Sequence, residues 1–509
     1  MNRLVLAFGI VCLLQGLSAE PRPEFGLSIS VAASAKITSV KSDVVSINAE
    51  VKALAPLPNL DSGLARLLTT KQKIEEVISN FDGKTSAILA AYDSLLAATD
   101  GNIDNAFTPF INEINAATSY IGGDGAAIAA TLSGITYTGI STELIDAFGR
   151  ISVGLVDLKI KTLSVAAAIN AAVTSAGSAS AVTASSLRQF LTLKKMYDML
   201  KSATTLRTYL PLVTYILKTA KENVIEADSF VLNLKSMLNT DVSSVSTSFA
   251  SDLDAKTAEI KADIAAKFAI DANGAAGVET GYLALTGLNS ATQYNELSTQ
   301  IGVLKNLFTV SALSAQTTTL STAFATITSG LQALITSLQT GTSVNDNTLV
   351  NSLVDTLVGN DKYGRYCYNK YKYIVEGLFD LSFDAGWQCV DKELIRLEQL
   401  RVTLLLIIDL LAVDFEDVLN QVGVCNQLTS ATNLNTCVTQ LSMYYTNLFL
   451  ATKDKIAAVY TLAGDEAIAV ENRLLICFQL INLDSSITQV AAVNANLAIC
   501  SADGPTGSD

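Results

Sequence analysis

The sequence predicts an all-α protein: an elongated antiparallel helical bundle followed by a smaller, disulfide-stapled helical domain. Three observations predict it. Apolar residues recur at alternating spacings of three and four, which lays one stripe along one face of a helix. No proline occurs between Pro211 and Pro505. Six of the seven cysteines lie between Cys367 and Cys500. The many Val, Ile and Thr residues would suit strands, but sustained alternation of period two is missing.

The N-terminus, 1–19, reads as a signal peptide. Arg3 supplies the positive start, and Leu4 to Leu14 form an apolar run. That run is shorter than the roughly 20 residues a bilayer requires. Gly16, Ser18 and Ala19 offer a cleavage site before Pro21 and Pro23. The expected location is therefore secreted and extracellular.

A cysteine-free bundle is expected over 26–345. Ile37, Val40, Val44, Ile47, Val51 and Leu54 form one seam. Leu155, Leu158, Thr162, Val165, Ile169 and Ala172 form another. Tyr294, Leu297, Ile301, Leu304 and Phe308 form a third, and Leu320, Phe324, Ile327, Leu331, Leu334 and Leu338 a fourth. Each seam is only a few helical turns long, so several helices packed lengthwise are expected rather than one rod. Breaks are expected at Pro56 and Pro58, at Gly122–Gly125, around Gly177, at Gly274–Gly281 and at Gly341–Asn347.

The stapled domain is expected over 360–501. Tyrosines and charges cluster from Asp361, and the sole tryptophan, Trp387, follows. Leu394, Leu397, Leu400, Leu404, Ile407 and Leu411 make a helix face. Val402 to Val413 contains Thr403 and Asp409 and is too short to span a membrane, so it reads as a buried core helix. Asn426 to Thr436 reads as a loop, and Ala451 to Leu480 as a long helix.

Composition removes whole classes of function. The net charge of −14 lacks the basic footprint that nucleic acid needs. There is no histidine, which excludes Ser-His-Asp and Cys-His catalysis, His-ligated zinc and proximal-His haem. Gly123-Asp-Gly125 has Ile128 where a dinucleotide loop needs its third small residue. No cofactor is expected.

Cys367, Cys389, Cys425, Cys437, Cys477 and Cys500 are expected to form three disulfides in an exported chain. Fifteen pairings exist; Cys425–Cys437 is favoured because the segment between them can bring two helix ends together. A metal cluster is not expected, because no CxxC pair and no histidine is present. The segment Lys362 to Tyr373 interleaves tyrosines with basic residues. Tyr366, Tyr368, Lys370, Tyr371 and Tyr373 are the binding candidates, through stacking and cation–π contacts to sugars or anions. The plainer alternative is an amphipathic helix in which Tyr366 and Tyr373, seven apart, anchor one face while lysines snorkel. Arg188 to Lys221 is locally basic, with Asp198 its only acid; it reads as a solvated face or as a contact to an acidic one.

The tyrosine-flanked Cys367, Cys389 after Trp387, the charged-to-apolar helix, the Cys425/Cys437 pair and the closing Cys477 and Cys500 resemble the insect secreted proteins that carry a TsetseEP-type domain. The resemblance covers roughly Asp361 to Cys500, and the chain lacks the Glu-Pro repeats of the namesake. It implies an extracellular, non-enzymatic insect protein of gut or other epithelial secretions.

The function expected is a secreted, non-enzymatic helical binding or structural protein. Its partner would be an extracellular protein, a glycan or a microbial surface. An alternative is an amphipathic-helix lipid-binding or membrane-active protein, with Gly125 to Ile140 apolar and small enough to insert; the acidic charge disfavours anionic membranes. A third is a hydrolase built on carboxylates.

Overall fold

The computed structural model describes residues 24–134, 138–341, 344–484 and 488–505. The expected signal segment, 1–19, lies outside the described residues. Those described are overwhelmingly helical, and no strand occurs among them; one isolated bridge joins Glu24 and Leu27. The all-α class and the three disulfides are as expected.

Packing divides the chain into two compact units. The first comprises Met1–Leu234, Thr348–Tyr373 and Val493–Asp509; the second comprises Lys235–Asn347 and Ile374–Ala492. This is not the expected division into 26–345 and 360–501. The seams within Lys235–Asn347 are completed by later helices: Phe249, Ile260, Ile301 and Phe324 share one core with Val390, Leu404, Phe449 and Val470. The cysteines are divided likewise. Cys367–Cys500 lies in the first unit, while Cys389–Cys477 and Cys425–Cys437 lie in the second.

The first unit contains α1 (Ser34–Lys52), α2 (Ala65–Ala97), α3 (Ile103–Tyr120), α4 (Ala126–Gly134), α5 (Thr138–Ala176) and α6 (Ala184–Phe190). It also holds the first part of α7 (Leu193–Leu283), then α10 (Thr348–Gly359) and the start of α11 (Gly364–Glu416). Local chemistry sets several ends. The Asn102 side chain accepts from the Asn105 amide at 3.1 Å, beginning α3. Thr183 and Ser186 form a reciprocal capping box on α6. Gly177 takes a positive φ after α5.

Long-range contacts lock this unit. At Gly139 of α5, a Cβ would lie 2.2 Å from the Gly359 carbonyl oxygen, so only glycine permits that approach. The buried Asn223 amide donates to the Leu357 carbonyl at 2.9 Å. Buried Asp228 accepts from the Asp61 and Ser62 amides at 3.1 and 3.0 Å, holding the α1–α2 loop.

The second unit contains the rest of α7, α8 (Tyr294–Leu307), α9 (Val310–Gly341), most of α11, α12 (Val418–Asn426) and α13 (Ala431–Leu483). The final helix, α14 (Gln489–Asp503), contributes Cys500 to the first. Phe268 stacks on Tyr460 at 5.7 Å, and Trp387 meets Phe249 edge-on at 4.6 Å. The buried Glu393 carboxylate accepts from Arg473 at 2.8 and 3.0 Å and pairs with Arg396 as well. Paired this way, the charge avoids the cost of an isolated buried carboxylate.

The structure departs from several expectations. Gly274–Gly281 is no break: α7 runs through it to Leu283. Its glycines serve close packing instead, since a Cβ on Gly274 would sit 3.2 Å from Phe415 and one on Gly281 2.7 Å from Leu419. Gly122–Gly125 becomes a π-helical turn, Ile121–Gly125, rather than an interruption. Val402 to Val413 is buried on one face only. Leu404, Ile408 and Leu411 are in the core, while Val402, Leu406, Leu410 and Val413 are exposed. The loop expected over Asn426 to Thr436 shrinks, because α13 begins at Ala431. The seam of α5 is buried throughout, as are Leu297, Ile301, Leu304 and Phe308. Leu320, Phe324, Ile327 and Leu331 are buried too; the side chains of Leu334 and Leu338 lie outside those described.

Candidate functional site

The first unit forms an apolar cavity of about 120 Å³, partly open to solvent, between α1, α2, α3, α5 and α7. Each helix lines it with one face. Ile37, Val40, Lys41 and Val44 come from α1, and Phe81, Lys84, Thr85, Ile88, Leu89 and Tyr92 from α2. Phe110, Ala117 and Tyr120 come from α3, Phe148, Ile151, Leu155 and Leu158 from α5, and Met199, Ala203, Leu206 and Leu210 from α7. The volume approaches that of engineered apolar cavities of ~150 Å³, which stay dry and take up benzene.

Side-chain size keeps the space open. Ala117 and Ala203 stand in the wall where larger residues would fill it. The helices are not loosely packed elsewhere: a Cβ on Gly154 of α5 would lie 3.1 Å from Leu206 Cδ1 of α7. Two aromatic pairs buttress the walls. Tyr92 tilts against Phe110 at 5.5 Å, and Tyr120 meets Phe148 edge-on at 6.3 Å.

The polar groups are few. The buried Tyr120 hydroxyl has no hydrogen-bond partner. Burial pushes its pKa up to about 12, with Glu76 and Asp124 adding to the rise, so it stays protonated. Such an unpaired group costs about 1–3 kcal/mol. Burial raises Tyr92 too, against the pull of the neighbouring Thr38 hydroxyl. The only charged lining residues are Lys41 and Lys84. Lys41 is paired with Asp93, whereas Lys84 has no ion pair among the described residues. No Asp, Glu or Cys lines the cavity.

The binding candidates on α11 do not form one surface. Tyr368 and Tyr371 are 2% and 7% exposed, whereas Tyr366 and Tyr373 are 43% and 67% exposed. This reverses the expected anchoring by Tyr366 and Tyr373. Cys367 is tied to Cys500, and Tyr368 packs edge-on against Phe230 at 5.9 Å, which turns their side of the helix inward. The lysines ride on neighbouring rings: Lys370 over Tyr371 at 5.3 Å, and Lys372 over Tyr373 at 5.0 Å. The basic stretch is partly used internally. Lys194 pairs with Asp198 at 2.8 Å, Arg207 with Asp43, and Lys221 donates to the Leu54 carbonyl at 2.7 Å.

In the second unit, a more open cleft borders Cys389–Cys477, with Lys392 and Asp484 on its walls. No unpartnered buried polar atom lines it among the described residues. None of the described residues gathers His, Cys, Asp or Glu into a metal-binding group. No described helix is long and apolar enough to cross a membrane.

Sequence reasoning assigned the α1 seam to a bundle core and missed the cavity. A signal was present. The face Phe81, Lys84, Thr85, Ile88, Leu89, Tyr92 places a cation and a hydroxyl at core-facing spacing on an otherwise apolar stripe. Compared with known protein families, curated proteins and solved structures, the chain has no match.

Proposed function

We propose that this chain is a secreted, non-enzymatic binding protein and that the cavity of its first unit is the ligand site, taking an apolar small molecule. The observation that carries this is an apolar space bounded by five helices whose lining includes only a few polar residues, Lys41, Lys84, Thr85, Tyr92 and Tyr120. Ligand pockets combine these features: mostly apolar walls and a few polar groups that orient the guest. The absence of histidine from the chain, and of acids and thiols from the cavity wall, supports binding over catalysis. Three disulfides support an oxidising, extracellular compartment. The resemblance of the cysteine pattern to TsetseEP-type secreted proteins agrees with that compartment. The tyrosine–lysine segment supports a contact surface less well, because Tyr368 and Tyr371 are committed to the interior.

The test is titration with benzene, a guest of the size that apolar cavities near this volume take up, followed by ligand-observed NMR. Saturable one-to-one binding is expected, lost in Ala203→Phe, which fills the cavity. Circular dichroism establishes that the variant is folded, and Ala117→Leu serves as a second, smaller filling. Absence of saturable binding, or equal binding by folded wild-type and filled proteins, would overturn the proposal.

A further inference from the structure

We infer that the chain self-associates: the outer face of α11 in the second unit is a two-fold symmetric interface, on which the same stretch of a second copy lies antiparallel. Three observations carry this.

The first is an uncovered stripe. Between Ile395 and Val413, α11 is apolar on two opposite faces. Leu397, Leu404, Ile408 and Leu411 are buried in the core, while Ile395, Val402, Leu406, Leu410 and Val413 are between 46% and 66% exposed. A surface helix ordinarily turns polar residues outward, so a second apolar stripe calls for a cover. The second is spacing. Ile395, Gln399, Val402, Leu406, Asp409 and Val413 follow one another at intervals of four and three, the register in which one helix packs lengthwise on another. At the helical rise this seam runs for about 27 Å, long enough for several interlocking layers.

The third observation names the occupant. The seam reads apolar, polar, apolar, apolar, polar, apolar, the same from either end about residue 404. A two-fold interface between copies requires that symmetry. Laid antiparallel, Ile395 meets the partner's Val413, Val402 the partner's Leu406, and Gln399 the partner's Asp409. Apolar residues then fall on apolar ones, and the Gln399 amide donates to a carboxylate. Lys267 of α7 already donates to Asp409 Oδ1, and a carboxylate accepts at both oxygens. One step beyond each end stand Lys392 and Glu416, both exposed and neither in an ion pair among the described residues. In this register each Lys392 faces the partner's Glu416, so opposite charges close both ends. A parallel pairing would set lysine on lysine and glutamate on glutamate, and that like-charge cost selects the antiparallel arrangement.

The experiment is sedimentation velocity of the full, disulfide-bonded chain across a concentration series, where a monomer–dimer equilibrium is expected. Leu406→Glu puts a charge into both central layers and is expected to weaken the dimer more than about a hundredfold. Leu406 is exposed, so the fold, read by circular dichroism, should not change. Lys392→Glu and Glu416→Lys are each expected to weaken the dimer about tenfold, because each creates two like-charge layers. Both substitutions on one chain are expected to restore wild-type association, a rescue that damage to α11 would not show. In a parallel pair the end layers hold like charges before and after either substitution, so neither would weaken it. A chain that stays monomeric at every concentration, or a dimer insensitive to Leu406→Glu, would overturn the interface. A dimer that Lys392→Glu leaves unchanged, or that the double substitution fails to restore, would overturn the antiparallel register. Binding of a monomer to phosphatidylcholine vesicles, lost in Leu406→Glu, would assign the face to lipid and overturn the second copy as its occupant.

Discussion

Asp271 of α7 offers the sharpest test of the second unit's energetics. It is 6% exposed, and its Oδ2 is buried without a hydrogen-bond partner. Burial pushes its carboxyl up from 3.8 to about 6; Asp409 adds to the rise, and Lys267 opposes it. A group whose folded pKa exceeds its unfolded value is penalised when it ionises. The penalty is absent below the unfolded value, grows through the interval between the two, and is complete above the folded value. A rise from 3.8 to about 6 corresponds to at most about 3 kcal/mol at neutral pH, and roughly half of that is already present at pH 5. Asp271→Asn removes the charge at constant shape. It should stabilise the second unit by about 1–2 kcal/mol at pH 7.5, after allowing for the buried amide it introduces. The gain should be about 1 kcal/mol smaller at pH 5. The assay is urea unfolding followed by Trp387, the sole tryptophan, which packs on Phe249 inside this unit. Both pH values lie above the sequence pI of about 4.6, which keeps the chain charged. A variant no more stable than wild type at pH 7.5, or a gain equal at the two pH values, would refute the argument.

Two further outcomes are expected. Cys367→Ser with Cys500→Ser opens a bridge between residues 133 apart; loss of about 3–5 kcal/mol is expected from the chain-entropy model, read as a fall in the thermal midpoint of the first unit with the other bridges intact. Tyr371→Ala should cost about 3 kcal/mol by emptying a buried aromatic site, whereas Tyr366→Ala should stay within about 0.5 kcal/mol. Chemical denaturation of both variants checks the contrast, and equal effects would mean that the two tyrosines do not sit on opposite sides of α11.

Helix was readable wherever apolar residues kept the three-four spacing over several turns. Leu155 to Ala172 is buried as a continuous face, since the period of the α-helix alone decides which side chains share a side. Glycine was less informative. Gly274 and Gly281 read as a break because glycine weakens a helix, yet they lie within α7 beside Phe415 and Leu419. The choice between breaking a helix and admitting a neighbour depends on what that neighbour is. The tyrosine-rich segment shows the same limit. Five tyrosines in eleven residues can turn either side of a helix inward, and the Cys367–Cys500 bridge turns Tyr368 and Tyr371 in.

Local periodicity and composition were enough to establish an all-α chain without histidine chemistry, bearing six cysteines suited to three bridges. They reached one pairing, Cys425–Cys437, because its partners are twelve residues apart and meet across a short turn. They did not reach Cys367–Cys500 or Cys389–Cys477, nor the division into two discontinuous units. Those depend on which helices, far apart in sequence, bury their stripes together. The cavity belongs to the same class of fact. Val40, Lys84, Tyr120, Leu155 and Ala203 each satisfy a helix rule alone, but the space among them arises from the difference between five facing surfaces. A periodic pattern records where a side chain points and carries no information about how much room is left when it arrives.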